Sequence, residues 1–192
     1  MPFEGPADEA DDVLLRRFAL GDSGAARVLT LRLTPRVYAH AARLLGDRAE
    51  AEDVAQEAML RLWKLAPDWR EGEAKVTTWL YRVTANLATD RLRKRRGVSL
   101  DSVPEPEDDA PSAADGLQQA ARATALDAAL ADLPDRQREA VVLRHIEGLG
   151  NPEIAQIMDI SAEAVESLVA RGKRGLTQAL TGRRAELGFQ DE

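Results

Sequence analysis

The chain has 192 residues, no cysteine, only two histidines (His40 and His145) and a net charge of −7. That composition excludes disulfides and thiolate zinc sites and leaves little for metal or redox chemistry, so neither a metal nor a cofactor is expected. An acidic total argues against a protein that coats nucleic acid indiscriminately, but phosphate contact depends on local patches. The cations are segregated into Arg91–Arg96, Arg171–Arg174 and Arg183–Arg184.

The first twelve residues, MPFEGPADEADD, lack both the basic start and the apolar core of a secretion signal, and no apolar run approaches membrane-spanning length. A cytoplasmic protein without membrane insertion is expected, with residues 1–10 disordered. Apolar residues then recur three and four apart, without a strand pattern, which predicts an all-α fold. Asp11–Leu20 reads as a short helix stopped by Gly21. Ser23 is placed to cap a long helix with Val28, Leu31, Val37, Tyr38, Ala41, Leu44 and Leu45 on its buried stripe. Gly46 closes it, and Pro35 is expected to kink or divide it. Asp47 caps a third helix to about Leu65, ended by Pro67, and a fourth runs from about Lys75 to Arg95, burying Leu80, Val83 and Leu87.

Residues 97–116, GVSLDSVPEPEDDAPSAADG, have no hydrophobic period and carry three prolines and six acidic residues, so they read as a linker. Two small helical domains are therefore expected, residues 11–96 and 117–182, with a tail at 183–192. In the second, Leu117–Ala131 forms a helix, Leu133–Pro134 turns the chain, and a helix from Asp135 ends at Gly148. Asn151 and Pro152 suit the cap and first turn of a short helix. After Met158–Asp159–Ile160–Ser161 comes a last helix, capped by Ser161 and reaching about Leu180. Short helix, tight turn and longer helix is helix-turn-helix spacing, although an ordinary three-helix bundle has the same pattern.

Three groups of side chains stand out. On the last helix Ser161, Glu163, Glu166, Ser167 and Arg171 fall where a recognition helix meets base edges, and Lys173 and Arg174 where it holds phosphates. The fourth helix combines Lys75, Trp79, Tyr81, Arg82 and Asn86 with Arg91, Arg93 and Lys94. Aromatic faces beside cations suit unstacked bases, but Trp79 at helical spacing equally suits a core, and a basic helix end equally suits the macrodipole. Asp53, Gln56, Glu57 and Arg61 share one side of the third helix, either a solvated face or a docking surface. No phosphate loop, nucleophile elbow or zinc-protease motif supports an enzyme.

Taken together, Ala51–Glu52–Asp53–Val54–Ala55–Gln56–Glu57 with Leu62–Trp63, Thr78–Trp79–Leu80–Tyr81 through Asn86 and Asp90, and Leu133–Pro134 with Gln137–Arg138 and Ile154–Ala155 resemble the extracytoplasmic-function group of bacterial RNA polymerase sigma factors. The likeness runs from about Asp11 to Leu180. It implies a non-catalytic initiation factor of two helical domains, of the sigma region 2 and region 4 types. Asp53, Gln56, Glu57 and Arg61 would then dock on the polymerase clamp. The loop from Pro67 to Lys75 and the fourth helix would capture the melted minus-10 element. The last helix would read the duplex minus-35 element, with contact to the polymerase flap, and an anti-sigma factor would hold the protein inactive. Relatives often carry a basic residue where Glu166 and Leu168 stand and glycine where Asp159 stands, so the minus-35 preference is not transferable. A stand-alone helix-turn-helix regulator, which needs no polymerase-docking face, is the competing reading.

Overall fold

The computed structural model describes residues 9–70, 72, 74–98 and 114–181, and all regular structure among them is helical. Most of the predicted disordered start, linker residues 99–113 and the tail from 182 onward lie outside the described residues. The chain divides into two compact units, Met1–Asp90 and Arg91–Glu192.

The first unit begins with α1 (Asp11–Ala19), at nine residues too short to be stable alone. Its fully buried Leu14 and Leu15 anchor it to α2 (Ser23–Leu45). Ion pairs fix the angle: Arg17 with Glu9 at 2.6 Å and Asp22 at 2.7 Å, and Arg32 of α2 with Asp11 at 2.5 Å. Asp22, not Ser23, is the N-cap of α2, its Oδ1 accepting the N–H groups of Gly24 and Ala25 at 2.8 and 3.2 Å. A carboxylate that also holds Arg17 displaces the hydroxyl one position along.

Pro35 does not divide α2, which runs unbroken to Gly46 in the left-handed conformation at φ 65°. Proline denies the Leu31 carbonyl its helical donor, but Pro35 and Leu31 both face solvent, so water can take that place. Leu31, expected on the buried stripe, is 68% exposed. The stripe follows Leu29, Leu33 and Val37 at four-residue steps, and two residues from either leucine is about 200° around the helix.

Asp47 caps α3 (Arg48–Leu65) through the Glu50 N–H at 3.0 Å, and a 3-10 turn at Ala66–Asp68 ends it beside Pro67. Ala51, Ala55 and Ala58 bring α3 close to α2, while Met59 and Leu62 fill the core with Leu80 of α4 (Val76–Val98). Phe18 packs on Trp63 at a ring separation of 4.7 Å.

The second unit holds α5 (Ala114–Ala131), starting three residues before the expected Leu117, then α6 (Asp135–Val141) and a π-helical turn at Val142–Ile146. Arg138, 7% exposed, ties α5 to α6: its guanidinium donates to the Leu130, Ala131 and Leu133 carbonyls at 2.9, 2.8 and 3.1 Å. These close the orphan carbonyls at the end of α5. α7 (Asn151–Met158) has Gly150 at its cap position rather than Asn151, and the Glu153 carboxylate accepts the Gly150 N–H at 3.4 Å. Asp159 then turns left-handed at φ 53°, and Ser161 caps α8 (Ala162–Thr181) through the Ala164 N–H at 3.2 Å.

Two buried ionisable groups give the units opposite responses to pH. His40 is fully buried in the first unit, and burial, helped by the charge of Arg43, pushes its pKa from 6.5 down to about 3. Unfolding therefore takes up a proton below pH 6.5, and the first unit should lose roughly 1.4 kcal/mol per pH unit as acid is added, until about pH 3. Glu139 in the second unit is 8% exposed, and burial, opposed by Arg136, raises it from 4.5 to about 7. Its contribution is full below pH 4.5 and is lost as pH rises through 7, to a total on the order of 3 kcal/mol. All three tryptophans, Trp63, Trp69 and Trp79, belong to the first unit, so urea unfolding followed by fluorescence reports that unit and circular dichroism reports both. His40→Leu should flatten the acid loss in fluorescence, and Glu139→Gln the loss between about pH 4.5 and 7 in dichroism. Unchanged pH profiles in both variants would show that these groups are not responsible.

Candidate functional site

Each of the three groups singled out in the sequence occupies a helix whose opposite side is packed. On α3, the buried Ala51, Val54, Ala55, Ala58 and Leu62 leave Asp53, Gln56 and Arg61 exposed and Glu57 half-exposed. Arg61 donates to Glu57 at 2.8 Å across one helical turn, which holds the Glu57 carboxyl below the usual carboxylate range. Leu60, 45% exposed, lies beside this face. With Leu31, Pro35, Tyr38, Gln56 and Met59 it lines a cleft of about 790 Å³ between α2 and α3. The sequence reading missed that apolar border, whose signal was a leucine off the buried period of each helix.

Lys75, just before α4, and Arg82 and Asn86 on it are exposed, and Trp79 is half-buried. Spacings of four, three and four put these residues on one stripe, which continues through Arg93. Trp79 meets the edge of Trp69 at 6.3 Å, and both rings pack on the core of the unit. Trp69, in the segment after Pro67, was not recognised in the sequence, where it lacks helical spacing to the others. Tyr81 must be corrected. It is 5% exposed, its ring lying 4.9 Å from that of His40, so it offers no face for a base. Being two residues beyond Trp79, it points to the far side of α4. Toward the C-terminal end Arg91 is half-exposed, and Arg93 and Lys94 are exposed.

On α8, Val165 and Gly172 are buried and Leu176 packs against the core of the second unit, while Glu163, Glu166, Ser167, Arg171, Lys173 and Arg174 are exposed. Ser161 is committed to the cap. Glu163 is also engaged locally: hydrogen bonds from its own backbone N–H and the Ser161 side chain hold its carboxyl below the ordinary range. Arg171 lies back along the helix, its Nε donating to the Ser167 carbonyl at 3.2 Å. The first half of α8 is thus acidic and the second basic. Gly172 permits close packing: a Cβ there would stand 2.5 Å from Val141 Cγ2 and 3.1 Å from the Gln137 carbonyl oxygen.

No helix among the described residues is long and apolar enough to cross a membrane. Residues 29–98 match the family described as sigma-70 region 2 and residues 123–176 the family described as sigma-70 region 4, together more than half of the chain. The chain is 34% identical over 155 residues to the ECF RNA polymerase sigma factor SigE of Mycolicibacterium smegmatis, covering 79% of this chain and 60% of that relative. It is 30% identical over 183 residues to the RNA polymerase sigma-H factor of Pseudomonas aeruginosa, covering 90% of this chain and 94% of that one. Among solved structures, CnrH in complex with the cytosolic domain of CnrY superposes with a TM-score of 0.66 at 27% identity, covering 91% of this chain and 99% of CnrH.

Proposed function

This chain belongs to the extracytoplasmic-function group of the sigma-70 family, non-catalytic factors of transcription initiation, and from that membership we propose how its exposed faces divide the work. The face of Asp53, Gln56, Glu57 and Arg61 docks on the clamp coiled coil of core RNA polymerase. The α4 stripe of Lys75, Trp79, Arg82 and Asn86 takes the melted minus-10 element, with Arg91, Arg93 and Lys94 on its backbone. The second unit reads the minus-35 duplex with α8 and touches the flap. CnrH, which shares the fold over nearly its whole length, was solved with a bound partner. An anti-sigma factor holds this chain in the same manner, and the protein acts in the cytoplasm, where core polymerase is. The two domains correspond to residues 11–98 and 114–182, since α4 runs on to Val98 and α5 begins at Ala114, and the acidic stretch between them is the joining segment.

The observation that carries this reading is the order of both family matches along the chain, with the side chains of the shared α3 motif, Asp53, Gln56 and Glu57, lying outside where a partner can reach them. A stand-alone regulator needs no docking on that face. Run-off transcription with core polymerase is the test, and promoter-specific transcripts that need both components are expected. Duplex promoter binding of equal strength without core, and no transcripts with it, would establish the stand-alone regulator instead.

Within this scheme Asn86→Ala removes a base-edge contact at an exposed position. Open-complex formation on duplex promoters should fall roughly tenfold, about 1–2 kcal/mol, with a smaller loss on premelted templates. Equal defects on both templates would remove Asn86 from the melting step.

A further inference from the structure

The head of α8 bears carboxylates where a DNA-reading helix would ordinarily gain from cations. Glu163 is drawn onto the helix N-terminus by the Ser161 hydroxyl and its own N–H, where it favours the helix dipole. Glu166 has no such local role visible in the sequence. One turn to either side stand Ala162, Glu163, Val169 and Ala170, and the first cation on the helix is Arg171. Glu166 is exposed on the flank of the helix, about 100° around from the buried Val165, next to Ser167 and four residues before Ala170, whose small side chain leaves space beside it.

A carboxylate facing the major groove only accepts hydrogen bonds. Guanine presents two acceptors there and thymine one acceptor and a methyl, so both repel it. Adenine pairs its one donor with an adjacent acceptor, and cytosine alone presents an amino donor without a neighbouring acceptor. Resting on the reading of α8 as the minus-35 helix, we infer that Glu166 is a specificity-determining residue that selects a cytosine amino group at one position of the minus-35 element. Arg171, Lys173 and Arg174, about one and a half to two turns farther on, supply the sequence-independent hold on phosphates that offsets the repulsion of the acidic head. The contact disfavours wrong bases more than it attracts the right one, and so sharpens promoter choice at a cost in affinity.

The test measures binding of the reconstituted holoenzyme to promoters carrying each base at every minus-35 position. The comparison is between the native chain, Glu166→Ala and Glu166→Gln, with circular dichroism to confirm equal folding. The native holoenzyme should prefer cytosine at one position by roughly five- to tenfold, the lower range for a base-edge contact. Glu166→Ala should erase that preference at that position alone, with affinity equal or higher. Glu166→Gln, which can both donate and accept, should move it toward adenine. Arg171→Ala and Lys173→Ala should weaken binding to all variants and lower the salt slope by about one each. A profile identical in the three chains, on a holoenzyme that does respond to minus-35 changes, overturns the inference and leaves the promoter-reading role intact. A holoenzyme that transcribes specifically but ignores every minus-35 change overturns the assignment of α8 to the groove, and the inference with it.

Discussion

Charge reversal of the α3 face, Asp53→Lys combined with Glu57→Lys, is expected to lower affinity for core RNA polymerase by about a hundredfold or more and to abolish specific transcription at ordinary concentrations. Reversal replaces two attractions by two repulsions in a docked, partly dehydrated interface, where a charge contact is worth roughly 2–5 kcal/mol. The fold should tolerate the change. Asp53 is exposed, and the Glu57–Arg61 pair at 2.8 Å spans one turn at the surface, where such pairs contribute well under about 1 kcal/mol. Competition binding to core, alongside a thermal melt of the free chain, separates the possibilities. Normal core affinity would sink the docking assignment, while a large drop in melting temperature would mean these carboxylates hold the domain together.

Gly172→Leu should have the largest effect on stability, unfolding or dislodging α8 at a cost of about 3 kcal/mol or more. The notional Cβ already meets Val141 Cγ2 at 2.5 Å and the Gln137 carbonyl oxygen at 3.1 Å, and neither can retreat, since Val141 is buried and the oxygen belongs to α6 itself. The gain of up to about 1 kcal/mol from replacing a helix-interior glycine is too small to compensate. Gly175→Ala provides the contrast. Its Cβ would meet only the side-chain end of Leu133 at 2.7 Å and no backbone atom, so the cost should be clearly smaller. Dichroism-detected unfolding of both variants tests the pair, and equal effects would show that the approach of α8 to α6 is not the limiting contact. Because Arg171, Lys173 and Arg174 flank Gly172, the same close seat determines how far the basic half of α8 projects.

The helices and most of their ends were legible before folding, since these depend on local chemistry. Gly46 stops α2, Asp47 starts α3 and Ser161 starts α8, each through backbone groups within a few residues. The family was legible too, because motifs such as Ala51–Glu57 keep their order along the chain. Tertiary structure decided what a periodic pattern leaves open, namely which side of a helix the rest of the chain covers. Leu31 fits an apolar stripe by eye, yet packing selected Leu29 and Leu33 and left it in solvent. Tyr81 sits between Trp79 and Arg82 in sequence but turns inward against His40, because α2 occupies that side. Arg138 reads as one more surface cation until α6 folds back on α5 and brings three carbonyls to its guanidinium. Gly172 reads as a weak point in a helix until α6 lies against it. In each case the deciding partner is distant in sequence or on another helix. Burial outweighs local preference for an apolar or charged side chain, and that partner settles it rather than neighbours along the chain.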